Sequence, residues 1–252
     1  MVENLQNTVT IVTGASSGIG RAIAKKLAAA GSNVVLVARR RQKLSELADE
    51  IEKANGKAWL IEADLTSNDE AIRVVKETIE KFDRLNILVN AAGVMLNGDS
   101  IETPVEDWDA MVNINLRGLM YLTKAALPYL KESAQNGNRR VSDVVNISSV
   151  AGRFAAAQVA IYSATKFAVT AATEAWRQEY TRQHIRFTVI EPGKTATELF
   201  HHRAGEHEAF EKMFGKVEEL QAEDIANTVH FIVTSPRRVA INEVVIRPTD
   251  QA

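Results

Sequence analysis

The chain has 252 residues, 46% hydrophobic and 25% charged, and a formal net charge of -2. That charge offers no field to gather nucleic acid or an anionic membrane, and no stretch reaches the roughly 18 apolar residues of a membrane span. The absence of cysteine excludes disulfides, thiolate metal sites and thiol catalysis. The opening MVENLQNTVTIVTG lacks the basic and then apolar regions of a secretory signal, so the cytoplasm is the expected location.

In chain order, short apolar runs alternate with longer helical patterns. Strands are predicted at 9–13, 33–38, 58–63, 87–90, 144–148, 187–190 and 243–246, and helices at 18–30, 42–54, 68–82, 105–132, 159–182 and 222–234. Several strands are almost wholly apolar, as in a sheet covered on both faces. The alternation predicts an α/β fold in a single domain over 1–252: a doubly wound parallel sheet of seven strands with helices on both faces. The 105–132 pattern contains Pro128, where a kink or an end is expected. Residues 133–140, SAQNGNRR, read as a surface loop. Residues 194–220 follow a strand end, where open α/β sheets bind ligands, and read either as a substrate-binding lid or as a helical surface excursion.

The first strand runs through Gly14, Gly18 and Gly20 into a helix. Glycines there let the backbone approach a pyrophosphate, and a helix N-terminus offers unpaired N–H groups and the positive end of a dipole. Ser17 and Ile19 belong to the same turn. At the end of the second strand an acid commonly holds a ribose 2'-hydroxyl, whereas an arginine accommodates a 2'-phosphate. Here Ala38 is followed by Arg39, Arg40 and Arg41. Cations at a helix N-terminus oppose the macrodipole by about 0.3–1 kcal/mol each, which favours a ligand role for at least one of them. Arg39 is the candidate, and NADP(H) the expected cofactor.

With these residues in view, the chain resembles the short-chain dehydrogenase/reductase family over nearly its whole length. The resemblance rests on TGASSGIG (13–20), ADL (63–65), NAAG (90–93), NINLRG (113–118), ISS (147–149), YSATK (162–166) and EPGKTAT (191–197), in that order. GVML at 93–96 and the ending INEVVIRPTDQ resemble a subgroup that includes clavulanate (clavaldehyde) dehydrogenase and the serine/3-hydroxy acid dehydrogenases. The resemblance implies a Rossmann-type fold and catalysis by Asn115, Ser149, Tyr162 and Lys166. Tyr162 would be the general acid in reduction and the base in oxidation. Lys166 would bind the nicotinamide ribose and lower the tyrosine pKa. Ser149 would hydrogen-bond the substrate carbonyl, and Asn115 would hold a water linking Lys166 to solvent. Asp64 and Leu65 would touch adenine, Asn90 and Gly93 would lie beside the adenosine ribose, and Pro192, Gly193, Thr195 and Thr197 would fix the carboxamide. Two positions depart from the family pattern: Ala91 replaces the second asparagine of NNAG, and Thr195 replaces a small apolar residue.

Tyr162 and Lys166 share a helix face, with Cβ atoms about 5–6 Å apart. A free tyrosine titrates near 10, and a cation within about 4–6 Å favours phenolate. The implied enzyme is an NADPH-dependent oxidoreductase, a carbonyl reductase acting on an aldehyde or ketone. The same chemistry in reverse would be an NADP-dependent 3-hydroxy acid dehydrogenase, and a non-catalytic NADPH-binding sensor or scaffold is the reading from another class. Neither nucleic acid nor membrane is an expected partner.

Other residues carry weaker signals. His201, His202 and His207 lack a carboxylate at ligand spacing, so no metal is expected. Trp59, Trp108 and Trp176 are expected in the core or an interface, and Glu191 in a structural hydrogen bond. Val94, Met95, Phe154, Phe200 and Phe210 lie on segments that could shape an apolar pocket. Arg153, Lys194 and Arg203 read either as a cationic rim for a carboxylate-bearing substrate or as ordinary surface charges. Helix 159–182 has a second small and apolar face, with Ala164, Phe167, Ala168, Ala171, Ala175 and Trp176, suited to a two-fold contact in a homotetramer or homodimer.

Overall fold

A computed structural model describes residues 4–201 and 215–251. Seven parallel strands form one sheet: β1 (Val9–Thr13), β2 (Asn33–Ala38), β3 (Lys57–Glu62), β4 (Ile87–Asn90), β5 (Ser142–Ile147), β6 (Ile185–Pro192) and β7 (Glu243–Ile246). Their order is β3-β2-β1-β4-β5-β6-β7, so the winding reverses between β1 and β4. Such a reversal splays the connections apart and opens a crevice at the carboxyl ends of the two strands.

The helices are α1 (Gly18–Ala29), α2 (Arg41–Lys53), α3 (Asn68–Phe82), α4 (Val105–Val112), α5 (Leu119–Asn136), α6 (Ala160–Tyr180) and α7 (Ala222–Val233). Alternate strand side chains feed two cores. One packs Val12, Leu36 and Val145 under α1, α2 and α7, through Ile23, Leu47 and Ile225. The other packs Ile11, Val35 and Phe187 under α3, α5 and α6, through Val74, Leu122 and Trp176. None of the helices among the described residues is long and apolar enough to cross a membrane.

Several element boundaries differ from the sequence reading. Residues 133–136, read as part of a surface loop, continue helix α5. β5 begins at Ser142 and β6 runs from Ile185 to Pro192. Both ends carry polar residues that are buried by pairing: Asp143 with Arg186, and Glu191 with Thr170 and Arg153. The predicted helix 105–132 is interrupted, but not at Pro128. A π-helical turn, Asn113–Gly118, separates α4 from α5, and Pro128 lies inside α5. Pro128 is on the exposed side of α5, where the carbonyl one turn earlier can bond water.

Candidate active site

The glycine turn closes onto its own backbone. Gly14 and Gly18 have φ of 65° and 49°, in the left-handed region. A Cβ on Gly20 would meet the Gly14 carbonyl oxygen at 2.5 Å, and one on Gly14 would meet the Ala91 carbonyl oxygen at 2.8 Å. The turn feeds α1, whose N-cap Ser17 makes no capping bond and whose first turn has no acidic residue. In α3, by contrast, Ser67 accepts from the Glu70 N–H, and Asp69 and Glu70 sit in the first turn. The N-terminus of α1 thus keeps its N–H donors and dipole for an anionic ligand. A close backbone approach beside an uncapped helix start fits a dinucleotide pyrophosphate.

This turn lies in a cleft of about 780 Å³ that contains all the cofactor candidates: Gly14, Ser17, Gly18, Ile19, Gly20, Arg39, Asp64, Leu65, Asn90, Gly93, Pro192, Gly193, Thr195 and Thr197. Arg39 is exposed at the cleft edge. Arg40 also lines it: its guanidinium donates to Ser16 Oγ at 2.9 Å, to Ser17 Oγ at 2.7 Å and to Glu198 Oε2 at 3.0 Å. Asp64 closes its own turn, accepting from the Thr66 N–H and hydroxyl at 3.1 and 2.9 Å. Gly118 lets the π-helical turn approach this wall, since a Cβ there would stand 2.9 Å from the Leu65 carbonyl oxygen. Thr13 Oγ1 accepts from the Ala91 and Ala92 N–H groups at 3.0 and 3.1 Å, so the backbone fixes the NAAG turn despite the alanine.

At the other end of the cleft, Ser149, Tyr162 and Lys166 come together. β5 delivers Ser149 just past its carboxyl end, and α6 presents Tyr162 and Lys166 one turn apart. Both α6 side chains are buried. The Lys166 ammonium donates to the Ile147 carbonyl at 3.0 Å and stands 5.6 Å from the Tyr162 ring centroid. Burial pushes the phenol up to about 12, against a hydrogen bond from Ser149 that acts the other way. Burial also pushes the ammonium down to about 8. In the cofactor-free protein loss of water disfavours both charged forms, and the ammonium donates to the Ile147 carbonyl.

Asn115, in the π-helical turn, has its side chain engaged. Its Oδ1 accepts from the Val94 N–H at 2.8 Å, and its Nδ2 donates to the Val94 carbonyl at 2.9 Å and to Thr165 Oγ1 at 3.2 Å. The amide thus ties the wall after Gly93 to α6. π-Turns inside α-helices recur at functional sites because they re-aim a side chain.

A family model described as short chain dehydrogenase matches residues 8–208. The chain belongs to the short chain dehydrogenase family. An oxidoreductase of Staphylococcus epidermidis is 35% identical to it over 244 residues, 97% of this chain and 98% of the relative. Among solved structures, a closed form of serine dehydrogenase complexed with NADP+ superposes with a TM-score of 0.87 at 30% identity, covering 97% of this chain and 96% of that one. A short chain dehydrogenase from Burkholderia cenocepacia in complex with NADP gives 0.85 at 28% identity, covering 97% and 98%.

In this short chain dehydrogenase, the cationic rim does not form at two of its three positions. Arg153 turns away from the cleft onto Glu191 and Glu243. Lys194 lines the cleft but is buried, with its ammonium on Glu219 at 3.0 Å. Arg203, His202, His207 and Phe210 lie outside the described residues, as do the side chains of Phe200 and His201. Within the described part of 194–220, Thr195 bridges Leu220, and the chain there is open rather than helical apart from one short turn, Glu198–His201. Trp59 packs edge-on against Phe82, and Trp176 against Phe187. Trp108 instead joins Met95, Met111 and Tyr162 at the catalytic end.

Three cleft residues escaped the sequence reading. Arg40 was hidden among three adjacent arginines, which only the fold can rank. Thr13 looked like an ordinary strand residue. Gln251 sits at the far C-terminus, yet its Oε1 accepts from the Lys194 N–H at 2.8 Å and packs where a Cβ on Gly193 would fall. No local pattern announces a contact made 57 residues away.

Proposed function

We propose that this short chain dehydrogenase is an NADP(H)-dependent carbonyl reductase, acting on an aldehyde or ketone and, in reverse, on the corresponding alcohol. The carrying observation is the gathering of Ser149, Tyr162 and Lys166 at the end of a cleft that begins in an uncapped glycine turn. When bound, the cofactor supplies or accepts the hydride. Gly14, Ser17, Gly18, Ile19 and Gly20 would hold its pyrophosphate, and Pro192, Gly193, Thr195 and Thr197 its carboxamide end. Arg39, with Arg40 beside it, would take a 2'-phosphate, and Asp64, Leu65, Asn90 and Gly93 would border the adenosine.

Ser149 and Tyr162 donate hydrogen bonds to the substrate oxygen where negative charge develops, an oxyanion-type stabilisation. Tyr162 then gives up its proton as general acid. Burial, which pushes the phenol up to about 12, leaves it protonated at neutral pH, as an ordinary tyrosine is. Lys166, held by the Ile147 carbonyl, supplies positive charge beside it, and Asn115 positions both the Val94 wall and α6. Oxidation of a 3-hydroxy acid is a second reading, favoured by the likeness to serine dehydrogenase. Exposed Phe167 on α6 and Met120 on α5 provide an apolar face for a second copy of the chain, in keeping with a homo-oligomer such as a tetramer.

Titrations of NADPH and NADH, followed by fluorescence, test the cofactor. Ala38→Asp combined with Arg39→Ile should weaken NADPH relative to NADH at least about tenfold, the equivalent of one charge-assisted contact. An unaltered NADPH affinity would overturn the 2'-phosphate assignment. Screening aldehydes and ketones by NADPH absorbance tests the reaction itself.

A further inference from the structure

We infer that Glu191 is a positioning residue: its buried carboxylate fixes where Ser149 stands relative to Tyr162, holding the serine turn with one oxygen and α6 with the other. This rests on the reading of Ser149 and Tyr162 as donors to the substrate oxygen. Glu191 precedes Pro192 at the end of β6 and is 0% exposed. Pro192 and Gly193 line the cleft, and Glu191 does not. Its Oε1 accepts from Thr170 Oγ1 at 3.0 Å, and its Oε2 accepts from Arg153 Nε. Thr170 follows Tyr162 and Lys166 at successive steps of four residues along α6, so the three share one helix face. Arg153 closes the short turn Val150–Gly152 that starts at Ser149, with its N–H on the Val150 carbonyl at 2.9 Å.

The turn and α6 lie against each other. A Cβ on Gly152 would stand 2.7 Å from Ser148 Oγ and 3.0 Å from both the Lys166 carbonyl oxygen and Thr170 Oγ1. Ser148 Oγ donates to the Lys166 carbonyl at 3.0 Å and lies 3.2 Å from Thr170 Oγ1. A carboxylate only accepts, so Thr170 directs its one proton to Glu191 and leaves its lone pairs to Ser148. The Ser148 N–H is bonded to the Ile190 carbonyl at 2.7 Å, so β6 also grips the serine strand beside the glutamate. A buried ion pair adds little net stability over apolar packing of the same volume. What two directed bonds from one strand supply is geometry. Misplacing a catalytic group by about 1 Å can cost about 10²-fold in rate. Glu191 reaches Ser149 and Tyr162 through their supports, without touching the reacting atoms.

The test uses the full chain with NADPH and para-nitrobenzaldehyde, and reads the single-turnover rate of NADPH oxidation. Glu191→Met removes both acceptors and leaves Arg153 paired with Glu243. It should slow hydride transfer at least about tenfold, with the aldehyde KM and the NADPH Kd within about twofold of wild type. Glu191→Gln, whose amide oxygen can face Arg153 and whose nitrogen can face Thr170, should stay within about threefold of wild type. Ser149→Ala should lose about 10²-fold, and in that background Glu191→Met should add less than about twofold. A Glu191→Met rate equal to wild type, the same loss with and without Ser149, or a Glu191→Gln protein as slow as Glu191→Met would overturn the inference. Should Glu191→Met fail to fold, Thr170→Val should slow hydride transfer about threefold or more while Thr170→Ser does not, and equal rates in these two would sink the idea. Hydrogen exchange at the Gly152 and Arg153 amides reads the same tie without turnover. Glu191→Met, or Thr170→Val in its place, should speed that exchange about tenfold or more with the amides of α3 unchanged, and unaltered exchange would refute the tie. Failure to reduce the aldehyde by a protein that binds NADPH would count against the carbonyl-reductase reading, and the exchange rates would still decide the inference. A Ser149→Ala protein as fast as wild type would overturn the reading of Ser149 itself, and the inference with it.

Discussion

β5 buries ionisable groups near both of its ends, and treats them in opposite ways. At its start, Asp143 is 1% exposed, and its two oxygens accept from Arg186 Nε at 2.7 Å and Arg139 at 3.1 Å. Arg186 goes on to donate to the carbonyls of Ser235 and Val239 at 3.0 and 2.8 Å, tying the end of α7 and the following loop to the sheet. At the other end, Lys166 is buried with the Ile147 carbonyl as its partner, and the Tyr162 phenol is buried beside it. Among the described residues no carboxylate pairs with this ammonium, and loss of water displaces both groups from their ordinary titration ranges. A buried charge with its counter-charges in place is architecture. One left partly uncompensated keeps a large differential energy between protonation states, and that energy is what acid–base chemistry draws on.

Removing one group from each end separates these roles. Tyr162→Phe should lower kcat by about 10³-fold or more, in the upper range for loss of a general acid, while NADPH titration and the urea midpoint stay nearly unchanged. Substantial residual turnover would mean that another group donates the proton. Asp143→Asn should do the reverse. It leaves two buried guanidinium groups facing an uncharged amide, at about 3 kcal/mol of stability, with kcat/KM of the folded protein unaltered. Urea unfolding measures the first quantity and assays well below the transition measure the second. A loss below about 1 kcal/mol would show that the carbonyls around Arg186 suffice to hold it.

The same contrast explains how far the sequence could be read. β1, β2 and β4 occur at their predicted positions because apolar runs mark strands buried on both faces, and the partly buried edge strand β7 also lies at its apolar run. β5 and β6 were under-read because their buried ends carry Ser142, Asp143, Arg186 and Glu191, which look like surface residues until partners from other elements satisfy them. The glycine turn and the Tyr162–Lys166 pair are local in sequence, so both were visible. The π-helical turn was not: its Asn115 side chain reaches Val94, 21 positions away in sequence, and no proline or glycine marks where the turn begins. Nor was the state of Lys194, since a lysine after a strand reads as a surface charge until Glu219 is found 25 positions later. Spacing reports residues that share an element; it is silent on which distant charge cancels which.

A smaller effect sharpens the comparison from the side of stability. Burial holds the Lys166 ammonium at about 8 in the folded chain, against 10.5 for the free side chain. Below about pH 8 the lysine is protonated whether folded or unfolded, and the penalty of burying the charge is present in full. As pH climbs from there toward 10.5, the folded protein has already released its proton while the unfolded chain still holds one, so stability rises. Tyr162 acts with the opposite sign. Its folded value of about 12 lies above the ordinary 10.0, so the unfolded chain ionises first and stability falls above about pH 10. For the cofactor-free protein, the Lys166 contribution amounts to a gain of about 2–3 kcal/mol between about pH 7 and pH 10. Lys166→Met should therefore be more stable than wild type at neutral pH, and the difference should shrink over that window as the wild-type lysine loses its proton. Urea titrations of both proteins across the range measure this difference directly. A constant gap would mean that the ammonium is as well compensated as Asp143, and the contrast between the two ends of β5 would disappear.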